Sequence, residues 1–200
     1  EALAAWRASK GEDEATRIVD ESAARGTAMH KILEMYILEQ SYLDQTNVGK
    51  QAHNMSLRVI EQGLCNVTEY YGTECTLYYP GLYAGQTDLV GVHKGADAII
   101  DFKQTNKPKK KEWIDDYFLQ LSAYAMAHNI LFNTQITKGV IMINILNINK
   151  NLLYNIPKKE KKTKTMTIRY HMTLLHLRLW TMLVFNLSSI GVQRLSKNII

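Results

Sequence analysis

An α/β domain with a mixed central sheet flanked by helices is the fold this sequence predicts, and three observations predict it. The chain has 200 residues, 46% hydrophobic and 22% charged, which is enough to bury one sizeable core. Helical periodicity over residues 12–40 gives way to runs of β-formers between Val67 and Lys103. Helix then returns over 112–129, ahead of a further β-like run from Lys138 to Ile148.

In chain order, residues 12–40 read as two helical pieces broken at Arg25-Gly26-Thr27, with Thr27 as N-cap of the second. Met29, Ile32, Leu33, Tyr36 and Ile37 define the apolar face of that second piece, and His30 and Glu34, four apart, share one edge of it. Residues 50–63 form a short helix ending at Gly63. Glu69–Tyr71 and Glu74–Tyr79 are two strand runs, followed by a turn at Pro80-Gly81. Two more strands, Tyr83–His93 and Ala96–Lys103, flank Lys94-Gly95. In the later helix Phe118, Leu121, Ala125 and Met126 are apolar, while Gln120 and Tyr124 stand four apart on one face.

Charge divides the chain unevenly. Residues 139–200 carry ten basic residues against the single Glu160, a net +9, so the remaining 14 basic and 18 acidic residues leave 1–138 at −4. The net charge of +5 is therefore no argument for nucleic acid at the part that carries the chemistry. Two cysteines, Cys65 and Cys75, exclude a four-cysteine iron–sulfur cluster or zinc ribbon and suit a reducing cytoplasm. The first residues lack the basic and apolar regions of a secretory signal, and there is no initiator Met. Met172–Val184 is too interrupted by His176 and Arg178 for a membrane span and reads as an amphipathic helix on the core. The expected division is a core over 1–148 and a basic segment over 149–200.

The chemistry concentrates in one hairpin. With Lys94-Gly95 as a two-residue loop, every cross-strand pair has numbers summing to 189, which sets Asp88 opposite Asp101. Opposed residues have Cβ atoms about 4.5–5.5 Å apart, suitable for two carboxylates sharing one hard cation. Lys103, two residues beyond Asp101, falls on the same strand face. The flanking Leu89, Val90, Val92, Ile99, Ile100 and Phe102 are apolar, so like charges there need a proton or a cation between them. The alternative is a pair of strand acids at a sheet edge with a lysine reaching to water.

Ala84-Gly85-Gln86-Thr87-Asp88 followed by Ile99-Ile100-Asp101-Phe102-Lys103 resembles the G-x-x-D … D-x-K signature of PD-(D/E)xK nucleases. The helix Arg25-Gly26-Thr27-Ala28-Met29-His30 upstream and Gln120-Leu121-Ser122-Ala123-Tyr124 downstream resemble the RecB-type branch. Trp6-Arg7, Gly11–Ala15 and Glu112–Tyr124 look most like bacteriophage exonucleases, themselves similar to the mitochondrial genome maintenance exonuclease. The resemblance spans about residues 6–146 and implies a restriction-endonuclease-like core. It implies a DNA exonuclease dependent on Mg²⁺ or Mn²⁺, acting at single-stranded ends in replication, recombination or degradation, in a host cytoplasm if phage-encoded. Duplex ends are the first alternative, and a scaffold that binds DNA without turnover is the second.

By that resemblance His30, Asp88, Asp101 and the Phe102 carbonyl ligate the metal, and Lys103 orients the attacking water. Glu74 is placed to approach a second metal or a water, with a surface glutamate as its alternative. Glu34 either orients the His30 imidazole or is a solvated acid. Gln120 and Tyr124 touch the nucleic-acid backbone or only pack; Lys107, Lys109, Lys110 and Lys111 hold phosphates or form a solvated loop. Tyr78 and Tyr79 stack on unpaired bases or pack on the sheet. Gln104 departs from the pattern, since a small hydroxyl residue commonly follows the motif lysine, and the chain beyond about residue 146 has no counterpart to the expected last strand and helix. Polarity of cleavage, number of metals and oligomeric state have no sequence signature.

Overall fold

The computed structural model describes residues 2–110 and 113–146, together with the backbone of Tyr170 and His171. The elements are α1 (Ala2–Lys10), α2 (Glu12–Ile37), α3 (Asn47–Gln62), β1 (Val67–Tyr79), β2 (Tyr83–His93), β3 (Ala96–Thr105), α4 (Asp115–Phe132), β4 (Lys138–Ile145) and the two-residue β5 (Tyr170–His171). The strands form one sheet in the order β1-β2-β3-β4-β5. β1–β2, β2–β3 and β4–β5 are antiparallel pairs. β3 and β4 are neighbours joined through α4, the helical crossover that parallel strands require, so the sheet is mixed. The fold is α/β, as the sequence predicts. By its contacts the chain divides into two compact units.

The first unit comprises the chain to Asn66, Phe102–Pro108 and the chain from Met142 to Met166. Glu12, Asp13 and Glu14 occupy the first turn of α2, where negative charge offsets the helix dipole. Thr46 caps α3, its hydroxyl accepting from the Gly49 amide at 2.9 Å. Met29 and Leu33 of α2 and Met55 of α3 are wholly buried, and the Ser56 hydroxyl ties the two helices by donating to the Met29 carbonyl at 3.3 Å. The apolar face of α2 ends sooner than its periodicity implies: Tyr36 is exposed.

α2 is one helix of 26 residues, without the expected break at Arg25-Gly26-Thr27, so Thr27 is not an N-cap. The reason lies outside the helix. Arg25 is buried and donates to Gln104 Oε1 from Nε (3.2 Å) and Nη2 (3.1 Å), and to Asn106 Oδ1 at 2.6 Å. A glycine inside a helix costs about 1 kcal/mol, whereas a hydrogen bond to a charged group contributes about 1.5–3 kcal/mol. Tertiary bonds to Arg25 therefore outweigh the local preference of Gly26 to break.

The second unit comprises Val67–Asp101, Lys109–Ile141 and the chain from Thr167. β1 is a single strand where two runs were expected; register shifts at Val67/Glu69 and Tyr70/Gly72 absorb the interruption as bulges without ending the pairing. The β2–β3 register follows the sequence prediction: His93 pairs with Ala96 and Leu89 with Ile100. Lys94 (φ 50) and Gly95 (φ 74) both take positive φ, the geometry of a type I′ turn that matches strand twist. α4 packs against β1 and β2, with the Tyr83 hydroxyl donating to the Ala123 carbonyl at 2.8 Å. On β4, Val140–Ile143 are buried, and Lys138 and Gly139 pair with His171 and Tyr170.

Among the described residues no helix is long and apolar enough to cross a membrane. The lysine run Lys158–Lys164 and the expected helix Met172–Val184 lie outside the described residues.

Candidate metal centre

Two strands bring carboxylates to one level. The pairs Thr73↔Leu89 and Cys75↔Thr87 bracket Glu74 and Asp88, which puts those two residues level on β1 and β2. The β2–β3 pairing ends at Leu89↔Ile100, one residue short of Asp88 and Asp101. Glu74 and Asp88 thus stand level on neighbouring strands. Register reasoning from the sequence set Asp88 opposite Asp101, while Glu74 entered only through the family resemblance. Its level was legible too, because pairing Tyr79 with Tyr83 across Pro80-Gly81 fixes the same register.

Burial separates the three acids. β2 alternates from Tyr83 to Gln86 and is then buried on both faces from Thr87 to Gly91, so Asp88 sits where the strand passes under cover. Asp88 is 7% exposed and Asp101 2%, while Glu74 is half-buried. A carboxylate oxygen of Glu74 and one of Asp88 lie within 4.8 Å of each other. Asp101 is not a member of that close group. Like charges at that spacing under partial cover repel, and a cation between them removes the repulsion. The neighbouring Cys75 thiol registers the local field: burial first, and the Glu74 charge second, push its pKa up.

Glu74 holds an uncommon backbone. Its φ is +50, in the left-handed region that side chains other than glycine rarely adopt. The site fixes this turn from two directions, since Gln86 Nε2 donates to the Glu74 carbonyl at 2.9 Å and the Thr73 hydroxyl donates to the Asp88 carbonyl at 2.9 Å. Strain of about 1–3 kcal/mol held in this way is a feature of functional positions.

His30 lies half-buried on α2, its ring edge-on to Phe102 with centroids 6.3 Å apart. Phe102 is buried and Lys103 half-buried, both on β3. Glu34, one turn after His30, accepts from Lys31 Nζ at 2.8 Å. One imidazole and two or three carboxylates are the donors that Mg²⁺ or Mn²⁺ accepts, and the paired oxygens of Glu74 and Asp88 fit such an ion.

The glycine of the first motif has a packing reason. A Cβ on Gly85 would come 2.7 Å from Tyr124 Cε1, so the tyrosine ring lies directly on the backbone three residues before Asp88. Gln120 Nε2 donates to the Tyr124 hydroxyl at 3.0 Å, and Tyr124 is 5% exposed. The Gln120–Tyr124 pair therefore fastens α4 to the site-bearing strand. Among the lysines, Lys107 is exposed and Lys110 lies 5.4 Å from the Trp113 ring centroid. Lys109 donates to the Tyr117 hydroxyl at 2.6 Å; Lys111 is outside the described residues. Tyr78 is exposed, whereas Tyr79 stacks on Tyr83 with centroids 5.6 Å apart.

No protein-family model matches this sequence, and no curated protein does. Among solved structures, the chain is similar to the crystal structure of a "putative exonuclease" from Eubacterium rectale, with a TM-score of 0.52 and 11% sequence identity. The match covers 83% of this chain and 66% of that one. At that identity the likeness is one of fold.

Proposed function

We propose that this chain is a metal-dependent deoxyribonuclease that hydrolyses phosphodiester bonds as an exonuclease at single-stranded DNA ends. The observation that carries the reading is a close pair of acids: the Glu74 and Asp88 carboxylates offer oxygens within 4.8 Å of each other, near enough to serve one ion. The fold shared with a protein named as an exonuclease supports it, as does the PD-(D/E)xK pattern on the same strands. In this reading residues 1–148 are the nuclease core and 149–200 a basic segment packing on it.

A divalent ion in such a site supplies Lewis acidity and acidifies a bound water. Glu74 and Asp88 would hold the ion on the sheet. By the family resemblance His30 would add a nitrogen, and Asp101 and the Phe102 carbonyl would add oxygens. The Lys103 ammonium holds the attacking water and offsets the charge that develops on the phosphate. Gln120 and Tyr124 hold β2 in place, and of the two the half-buried Gln120 would be the one to reach the nucleic-acid backbone, while Lys107, Lys109, Lys110 and Lys111 attract phosphates.

The test is degradation of single-stranded DNA labelled at either end, with Mg²⁺, Mn²⁺ or EDTA, by wild type and Lys103→Ala. The expected outcome is cleavage with either metal, none with EDTA, and a fall in kcat of about 10²–10³ in the variant. Degradation of duplex ends alone would reassign the substrate. A folded wild type that binds DNA and cleaves neither form would make the chain a binding scaffold.

A further inference from the structure

Gln104 stands where the resembled family commonly has a small hydroxyl residue, and in the first unit it is the centre of a hydrogen-bonded cluster. Its Oε1 accepts from Arg25 Nε (3.2 Å) and Nη2 (3.1 Å), and its Nε2 donates to the Ser22 carbonyl (3.0 Å) and hydroxyl (2.9 Å). Arg25 is 2% exposed. Its remaining bonds go to Asn106 Oδ1 (2.6 Å), Gln51 Oε1 (3.4 Å) and Ser22 Oγ (3.4 Å). Every hydrogen-bond acceptor is a neutral amide or hydroxyl oxygen, so these groups supply the direct bonds that offset the guanidinium's desolvation, with the Glu21 charge acting beside them. A Cβ on Gly26 would lie 3.7 Å from Gln104 Cγ and Nε2, which shows the amide resting against the helix backbone at that residue.

The direction of these contacts along β3 gives the cluster its meaning. Phe102 and Gln104 point to one face of the strand, and both meet α2: Phe102 at His30, Gln104 at Ser22 and Arg25. Lys103 lies between these two anchors on the same strand. A rotation or slide at the end of β3 would carry Lys103 with it. Buried polar clusters with every donor satisfied rigidify the segments they join.

We propose that Gln104 is a positioning residue, which through Arg25 and Ser22 fixes α2 against the end of β3 and so holds Lys103 in register with His30. This rests on the nuclease reading above, in which Lys103 holds the attacking water and His30 would ligate the ion. A long amide serves here because it spans from the strand to the helix and both accepts from and donates to the same turn of α2; a small hydroxyl would leave Arg25 short of two bonds.

The experiment compares full-length wild type, Gln104→Ala and Gln104→Glu. Steady-state kinetics on single-stranded DNA with Mn²⁺ give kcat and KM, calorimetry gives Mn²⁺ affinity, and amide hydrogen exchange is read over 22–26 and 102–106. In Gln104→Ala both segments should exchange faster and kcat should fall about ten- to a hundredfold, with KM and Mn²⁺ affinity changed by less than about threefold. Gln104→Glu keeps oxygen acceptors for Arg25 but loses the donation to the Ser22 carbonyl, so it should recover part of kcat. Wild-type kcat in Gln104→Ala overturns the proposal. So does a joint collapse of kcat, KM and metal affinity that Gln104→Glu does not relieve, since that marks a general loss of structure. A wild type that cleaves no DNA is a different result: it overturns the nuclease reading, and the positioning role falls with it.

Discussion

Under the proposed reading, Glu74 is a residue that trades stability for chemistry. Its left-handed φ of +50 costs an L side chain about 1–2 kcal/mol, and glycine would take the same backbone without that cost. The hydrogen bond from Gln86 goes to the Glu74 carbonyl, so it survives any side-chain change. Glu74→Gly should therefore leave the melting temperature level or raise it, even after the extra entropy that glycine loses on folding. The same change removes one of the two close carboxylates and should weaken Mn²⁺ binding at least about tenfold. Glu74→Gln is the informative partner: it keeps the strained backbone, so metal affinity should fall with no gain in melting temperature. Calorimetric melting and metal titration of both variants check this. A clear loss of stability in Glu74→Gly would mean that the side chain, rather than the site, needs that turn.

At the scale of elements, legibility in the sequence follows from whether the deciding interactions are local. The β2–β3 hairpin could be read from its turn because a two-residue turn and a period of two fix each other, and the structure keeps the pairing from His93↔Ala96 to Leu89↔Ile100. α3 ends at Gly63 as its composition implies. α2 could not be read, because what carries it through Gly26 is a pair of amides some eighty residues later. Nor could the separation of Asp101 from the close Glu74–Asp88 pair, since register gives level and not side-chain distance. α2 also yields a stability prediction. Gly26 is a helix-interior glycine whose added Cβ would meet Gln104 only at 3.7 Å, an ordinary contact. Gly26→Ala should gain about 1 kcal/mol of helix propensity and raise the melting temperature by about 2–4 °C, read by thermal unfolding followed by circular dichroism. A lower melting temperature would show that Gln104 has no freedom to accommodate a methyl group.

Across the whole molecule, charge and chemistry are separated along the chain. Residues 1–138 sum to −4 and hold Glu74, Asp88 and Asp101, while 139–200 sum to +9. In the proposed nuclease reading, a phosphate backbone approaching those acids would gain nothing from long-range attraction until a metal is bound. Two of the lysines after β3 also have a partner close by, Lys109 in the Tyr117 hydroxyl and Lys110 in the Trp113 ring. The electrostatic part of DNA affinity should therefore come chiefly from the far end of the chain, where Lys158, Lys159, Lys161, Lys162 and Lys164 cluster. Changing these five to Gln in the full-length protein should flatten the dependence of log affinity on log salt by about 0.7 for each phosphate that is no longer neutralised. Because none of the five belongs to the metal centre, kcat at saturating single-stranded DNA should hold within about twofold while KM rises. Fluorescence anisotropy across a salt series, alongside kinetics, reads both quantities. An unchanged slope would assign the phosphates to Lys107–Lys110 instead, and a fall in kcat at saturation would mean that the basic segment acts on the bound strand at the site itself.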